Sequence, residues 1–233
     1  MARSRARARV AGVVPVAVPE TSDKSMVTRP RSSKGVRTRE RLVEAAREIF
    51  ETQGFTEARI SDIAERAGQS HGSFYYYFDS KEEVFREVAA AVDDQLFAPL
   101  DDVIMAKSWL APQQRIREAM RRHLESYRQH ARIMALIEQV SRHDAEVNAL
   151  RMARHKRHTD EVTKSIRQMQ RRKIADASLD PAIVATAFGA LTHRFAEIWL
   201  VHGAVECSLE HAVEQLSRLF ENALRLKPPP RKA

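Results

Sequence analysis

Residues 54–81 read GFTEARISDIAERAGQSHGSFYYYFDSK, and they hold two short helical patterns joined by a tight turn. Ile60, Ile63, Ala64 and Ala67 recur at i, i+3, i+4 and i+7, the spacing of one apolar helix face. Gly68 follows at a helix C′ position, where a left-handed backbone is needed and glycine adopts it without a Cβ clash. Ser70 stands two residues later, placed to N-cap a second helix that reaches about Tyr77. This second helix is short and carries three consecutive tyrosines. Helix, glycine turn and short second helix together form a helix-turn-helix, a unit whose second helix enters the DNA major groove.

The same reading extends outward in both directions. A first helix is expected from about Thr38 to Gln53, with Leu42, Ala45, Ala46, Ile49 and Phe50 as its apolar stripe and Gly54 as its end. After the tyrosines, Ser80 and Glu83 form a capping box that opens a fourth helix through Val84, Phe85, Val88, Val92 and Leu96. Pro112 suits the first turn of a fifth helix running to about His130, and a sixth is expected over Arg132–Ser141. A long charged helix follows over about Glu146–Lys173. Asp180-Pro181 is a strong start for an eighth, which stops at Gly203. Ser208 caps a ninth, and Pro228–Pro230 bars further helix. The expected class is therefore all-α with about nine helices. The boundaries are a disordered basic arm over 1–35, a DNA-binding head over 36–81, a helical body over 82–226, and a disordered tail over 227–233.

Composition narrows the function. Hydrophobic residues make up 43% of the 233, enough for a sizeable core. The lone Cys207 excludes a disulfide framework within the chain and a cysteine-based zinc site, and fits a reducing cytoplasm. No apolar run approaches the length of a membrane span. Residues 1–41 carry eleven Lys/Arg against three Asp/Glu, which is the chain's whole net charge of +8; residues 42–233 hold 28 of each sign. A basic segment beside a DNA-reading unit neutralises phosphates and releases counterions, while a plain solubilising tail would look the same. Met26 is an alternative start, which would remove the first 25 residues. No Gly-rich phosphate loop, HExxH, nucleophile elbow or CxxC is present, so the sequence reads as no enzyme, with no cofactor. His155 and His158 lie three apart, and His123 and His130 precede them. The run Arg154–His158 reads as a solvated cationic face rather than a metal site.

The head resembles the DNA-binding domain of the tetracycline-repressor (TetR) family. The matching residues are Ala45-Ala46, Phe50, Gly54-Phe55, Ile63-Ala64, Ala67-Gly68, Ser70, Gly72, Phe74-Tyr75, Tyr77-Phe78 and Lys81. The resemblance implies a cytoplasmic, nucleoid-associated regulator, a repressor that binds double-stranded DNA at a near-palindromic operator as a homodimer. It implies that His71 and Ser73 point at base edges, that Tyr75 and Tyr76 reach backbone or bases, and that Lys81 holds a phosphate, with Ser70 and Gly72 in the same surface. One departure stands at Ala58-Arg59, where the family carries Thr or Ser to cap the second helix. Ser61 is then a possible cap, and Arg59 a further phosphate contact. Phe74 and Phe78, four apart, read as core.

The resemblance also implies a ligand pocket within the fourth to eighth helices and a dimer interface on the last two. Phe97, Met105, Trp109, Met120, Tyr127, Met134, Met152, Phe188, Thr192, Phe195 and Trp199 are the candidate lining, and they suggest a small, largely hydrophobic effector. Ordinary core packing is the competing reading for each. Ala187, Ala190, Leu209, Val213, Leu216, Phe220 and Leu224 are the candidate interface, with the monomer's own core as the alternative use. A protein of the same fold without a small-molecule effector, acting through protein contacts or on chromosome organisation, is the alternative function.

Overall fold

The computed structural model describes residues 32–105 and 110–226; the side chains of 101, 102, 104 and 105 lie outside that description. Eight helices are present among the described residues: α1 (Ser33–Glu57), α2 (Ile60–Arg66), α3 (His71–Tyr77), α4 (Lys81–Met105), α5 (Pro112–Ser141), α6 (Ala145–Arg171), α7 (Pro181–Leu200) and α8 (Leu209–Ala223). The all-α class holds. The count falls to eight because the expected break near Ala131 does not exist. Past Pro112 this stretch has no Gly or Pro, and without a breaker the fifth and sixth expected helices run on as one.

Helix termini follow the local chemistry. α1 begins at Ser33, inside the arm expected to be disordered to residue 35, because the Ser32 hydroxyl accepts the Gly35 N–H at 3.1 Å. Gly54 leaves helical geometry (φ 79°, ψ 169°), and one further turn follows it. Ser80 accepts the Glu83 N–H at 3.1 Å; the Glu83 carboxylate reaches back to the Asp79 N–H at 2.6 Å, one residue before the cap. Asp180 accepts from Ala182 and Ile183, and Ser208 from His211, as expected of N-caps.

α4 is the spine. It packs on α1, α5 and α6, while α8 lies on α5 and α7 on α5 and α6. One apolar core runs from the head into the body, through Leu42, Phe50, Ile63, Phe74, Phe78 and Phe85 to Leu96, Tyr127, Ile137 and Val213. Phe50, Phe55 and Phe85 form a ring cluster with centroids 4.9–5.7 Å apart, tying the end of α1 to α4. A smaller core joins Ile166 and Met169 of α6 to Ala185, Phe220 and Leu224.

Candidate nucleic-acid interface and cavity

The turn between α2 and α3 is closed by glycine chemistry. Gly68 has φ 64°, its N–H bonds to the Glu65 carbonyl at 2.9 Å, and the Gln69 N–H reaches the Ala64 carbonyl at 2.8 Å. This pair of bonds is the Schellman arrangement. A Cβ at Gly68 would lie 3.0 Å from the Arg41 guanidinium, which donates to the Ala67 carbonyl and pins the turn to α1. Ser70 then caps α3, accepting the Ser73 N–H at 3.1 Å.

With the turn fixed, α3 has two faces. Phe74 and Phe78 are fully buried and seat it on the head. His71, Gly72, Tyr75 and Tyr76 are exposed, Tyr75 at 48% and Tyr76 at 68%. The His71 and Tyr75 rings meet edge-on at 5.2 Å. Ser73 is half-buried and its hydroxyl donates to Gln69 Oε1 at 3.0 Å. A Cβ at Gly72 would meet nothing within 4 Å, so the glycine is not there to admit α2. Arg59 is exposed and stands at the N-cap of α2 without capping it through its side chain, and Ser61 does not cap it either. Lys81 has a role that its sequence position did not announce. Its ammonium donates to the carbonyls of Thr56 and Ala58, both at 3.0 Å, and sits 4.8 Å from the Phe55 ring centre.

A cavity of about 130 Å³ lies among α4, α5, α6 and α7, with Phe220 of α8 also in its wall. Of the candidate lining, Phe97, Met120, Phe188 and Thr192 are there. Tyr127 and Met134 are instead sealed in the main core, and Phe195 and Trp199 pack against that core. Met152 points outward, 51% exposed. Trp109 and the Met105 side chain lie outside the described residues. The wall also holds four histidines, His123, His155, His158 and His193, and Arg115. The expected solvated face over Arg154–His158 is thus split: Lys156 and Arg157 face out, while His155 and His158 turn in.

Three of these histidines, His123, His155 and His193, are pushed toward the neutral form by their surroundings. Burial drops the His123 imidazole to about 3, with His193 and His158 adding to the shift. Burial also lowers His193 and His155, and Arg151 pushes both the same way. His158 lies against the Phe97 ring at 4.8 Å, and a Cβ at Gly189 would come within 3.3 Å of the His155 ring. Gly189 therefore makes room for a side chain of its own chain. Among the described residues no three His, Cys, Asp or Glu side chains are grouped as a metal site requires.

Residues 42–88 match the family model for bacterial regulatory proteins of the tetR family. The head is that of a TetR-family regulator. Among its curated relatives is the uncharacterized HTH-type transcriptional regulator YdgC of Bacillus subtilis, 48% identical over 56 residues, 24% of this chain and 29% of that one. Another is the HTH-type transcriptional repressor NicS of Pseudomonas putida, 40% identical over 58 residues, 25% of this chain and 27% of the other. The chain thus matches less than a third of either relative's length. A crystal structure assigned to the same family, from Mesorhizobium loti, superposes with a TM-score of 0.71 at 18% identity, covering 82% of this chain and 98% of that one.

The last two helices of the body distribute their apolar residues differently from the expectation of an interface stripe. Val213, Leu216, Phe220 and Leu224 are buried in the monomer's own core, and Leu209 is half-buried against it. Ala187 and Ala190 are exposed, in line with Ile183 (70% exposed) and Leu191 on the outer face of α7. Leu219 is the large apolar residue left exposed on α8. No helix among the described residues is long and apolar enough to cross a membrane.

Proposed function

We propose that the chain is a transcriptional repressor that binds double-stranded operator DNA as a homodimer and lets go when a small ligand enters the body. The exposed polar face of α3 carries this reading: His71, Tyr75 and Tyr76 stand free while Phe74 and Phe78 anchor the helix beneath them. A short rigid helix with polar side chains along its outer face is what a major groove admits. Gly72, open on its outer side, lets the backbone approach the duplex closely. Arg59 and Ser73 flank this face, and Ser70 caps the helix at its entry. Lys81, with two of its three N–H donors held by carbonyls, has one left for a phosphate.

The head over 36–81 and the body over 82–226 communicate through α4. This helix lines the cavity with Phe97, Leu100 and Val103, and its other end follows directly from α3. A ligand that needs more room than the resting cavity offers favours a displaced α4, and only such differential affinity shifts the equilibrium. A coupling of about 1–3 kcal/mol is sufficient to release an operator.

The test is fluorescence anisotropy with DNA fragments selected from a random pool. A near-palindromic consensus is expected, bound with a steep loss of affinity as salt rises. Recovery of no enriched sequence would defeat the reading.

A further inference from the structure

We propose that the cavity takes an amphipathic carboxylate, its acid group paired with Arg115 and its apolar body laid along α5 toward His123. This rests on the reading of the cavity as the effector site and names the chemistry of what enters it.

Arg115 lines the cavity, half-buried, and pairs with no Asp or Glu among the described residues. A guanidinium removed from water without a counter-ion is costly, and buried charges are ordinarily paired. Among the described residues the wall offers no carboxylate of its own. Its formal charge among the described residues comes from the Arg115 guanidinium. A cationic ligand would meet Arg115, with Arg172 close behind it, and nothing to balance it. An anion would complete the pair, and a guanidinium fork fits a carboxylate in two parallel bonds.

Position decides the rest of the molecule. Arg115 and His123 lie eight residues apart on α5, about 12 Å along the helix axis. Ile116 and Met120 line the stretch between them, faced by Ile166 and Phe188. At the far end His123 is buried, with Nδ1 lacking a hydrogen-bond partner. One charged end, an apolar middle and one unsatisfied polar end describe an elongated acid rather than a compact polar metabolite. The resting volume is about 130 Å³, close to that of a cavity holding one benzene ring. Such a ligand must therefore widen the cavity.

The experiment is calorimetric titration of the full-length protein, without DNA, using two apolar bodies. Octanoate and 2-naphthoate are compared with octanol and with octyltrimethylammonium. Both carboxylates, or one of them, should bind at least about tenfold more tightly than the alcohol, with the cation weakest. Arg115→Met should abolish the preference for the acid, and Arg115→Glu should transfer it to octyltrimethylammonium, a gain that misfolding cannot produce. Binding of neither carboxylate, or equal binding of acid and alcohol, overturns the proposal. So does an acid preference that survives Arg115→Met. Operator release is measured separately. An Arg115-dependent acid that leaves DNA bound keeps the ligand chemistry and removes the regulatory reading; DNA binding without acid binding does the reverse.

Discussion

Lys81 and Tyr75 would serve the proposed DNA binding in two different ways. The Lys81 ammonium holds the two carbonyls at the end of α1 and covers Phe55, so it stabilises the head in addition to its proposed phosphate contact. Lys81→Met is expected to lower stability by about 1 kcal/mol and to weaken operator binding. The Tyr75 hydroxyl is exposed, so Tyr75→Phe should weaken binding with urea stability unchanged. Urea denaturation paired with anisotropy on both variants checks this; a Lys81→Met protein of unchanged stability would remove the clamp. His123 makes a residue-scale prediction of its own. Its folded value of about 3 lies below the ordinary 6.5 of an exposed histidine. Well above pH 6.5 it is neutral in both states and costs nothing. As pH falls toward 3, the unfolded chain takes up a proton that the folded one refuses, and stability drops, by about 1 kcal/mol at pH 5.5. His123→Phe should lose this acid sensitivity, read as the difference between urea midpoints at pH 7.5 and 5.5. Identical pH dependence in both proteins would show that His123 is charged or exposed in the fold.

Pro99 sits inside α4, where a helix loses one hydrogen bond because proline has no N–H. The carbonyl left without its partner is that of Gln95, four residues back. It is not orphaned: the Ser126 hydroxyl of α5 donates to it at 3.0 Å. His130 Nε2 lies 2.8 Å from the Gln95 side-chain oxygen and Nδ1 lies 2.7 Å from the Ser126 carbonyl, closing the junction. α4 and α5 are thus stitched together at the helical defect, one turn from the cavity. Ser126→Ala should cost about 1–3 kcal/mol in a Pro99 background, the penalty for a buried acceptor without a donor. With Pro99→Ala the restored N–H takes the Gln95 carbonyl, and the same substitution should cost less. A double-mutant cycle by urea unfolding measures the difference, and additive effects would refute the link. Such cross-helix satisfaction explains where sequence reasoning stopped. The head was legible because Gly68, Ser70, Ser80 and the Ile60–Ala67 spacing act within a turn of themselves. Whether His155 and His158 faced water or a cavity depended on α7, which no local pattern encodes. A stripe such as Val213–Phe220 reads the same whether it meets its own core or a second copy.

That ambiguity matters most for the whole molecule. With Val213, Leu216, Phe220 and Leu224 buried within the monomer, the proposed homodimer would have to pair through the outer faces of α7 and α8. Ile183, Ala187, Ala190 and Leu191 recur three or four apart on α7, and Leu219 stands exposed on α8. Two copies meeting through such faces about a two-fold axis would bury the same patch on each. The small residues Ala187 and Ala190 would let the α7 helices approach closely. Each copy then presents one α3, and reading two half-sites one helical turn apart requires a spacing of about 34–36 Å. Placing a charge in the patch should therefore break both assembly and binding together. Ile183→Glu with Leu191→Glu is expected to give a folded monomer by sedimentation velocity, with its helical circular dichroism retained, because neither side chain belongs to the core. Its operator affinity should fall by at least about a hundredfold, since one head loses the contacts of the other. A variant that stays dimeric would place the interface elsewhere on the molecule. A monomer that binds the full operator as tightly as the parent would show that one α3 face suffices and that pairing is not part of recognition.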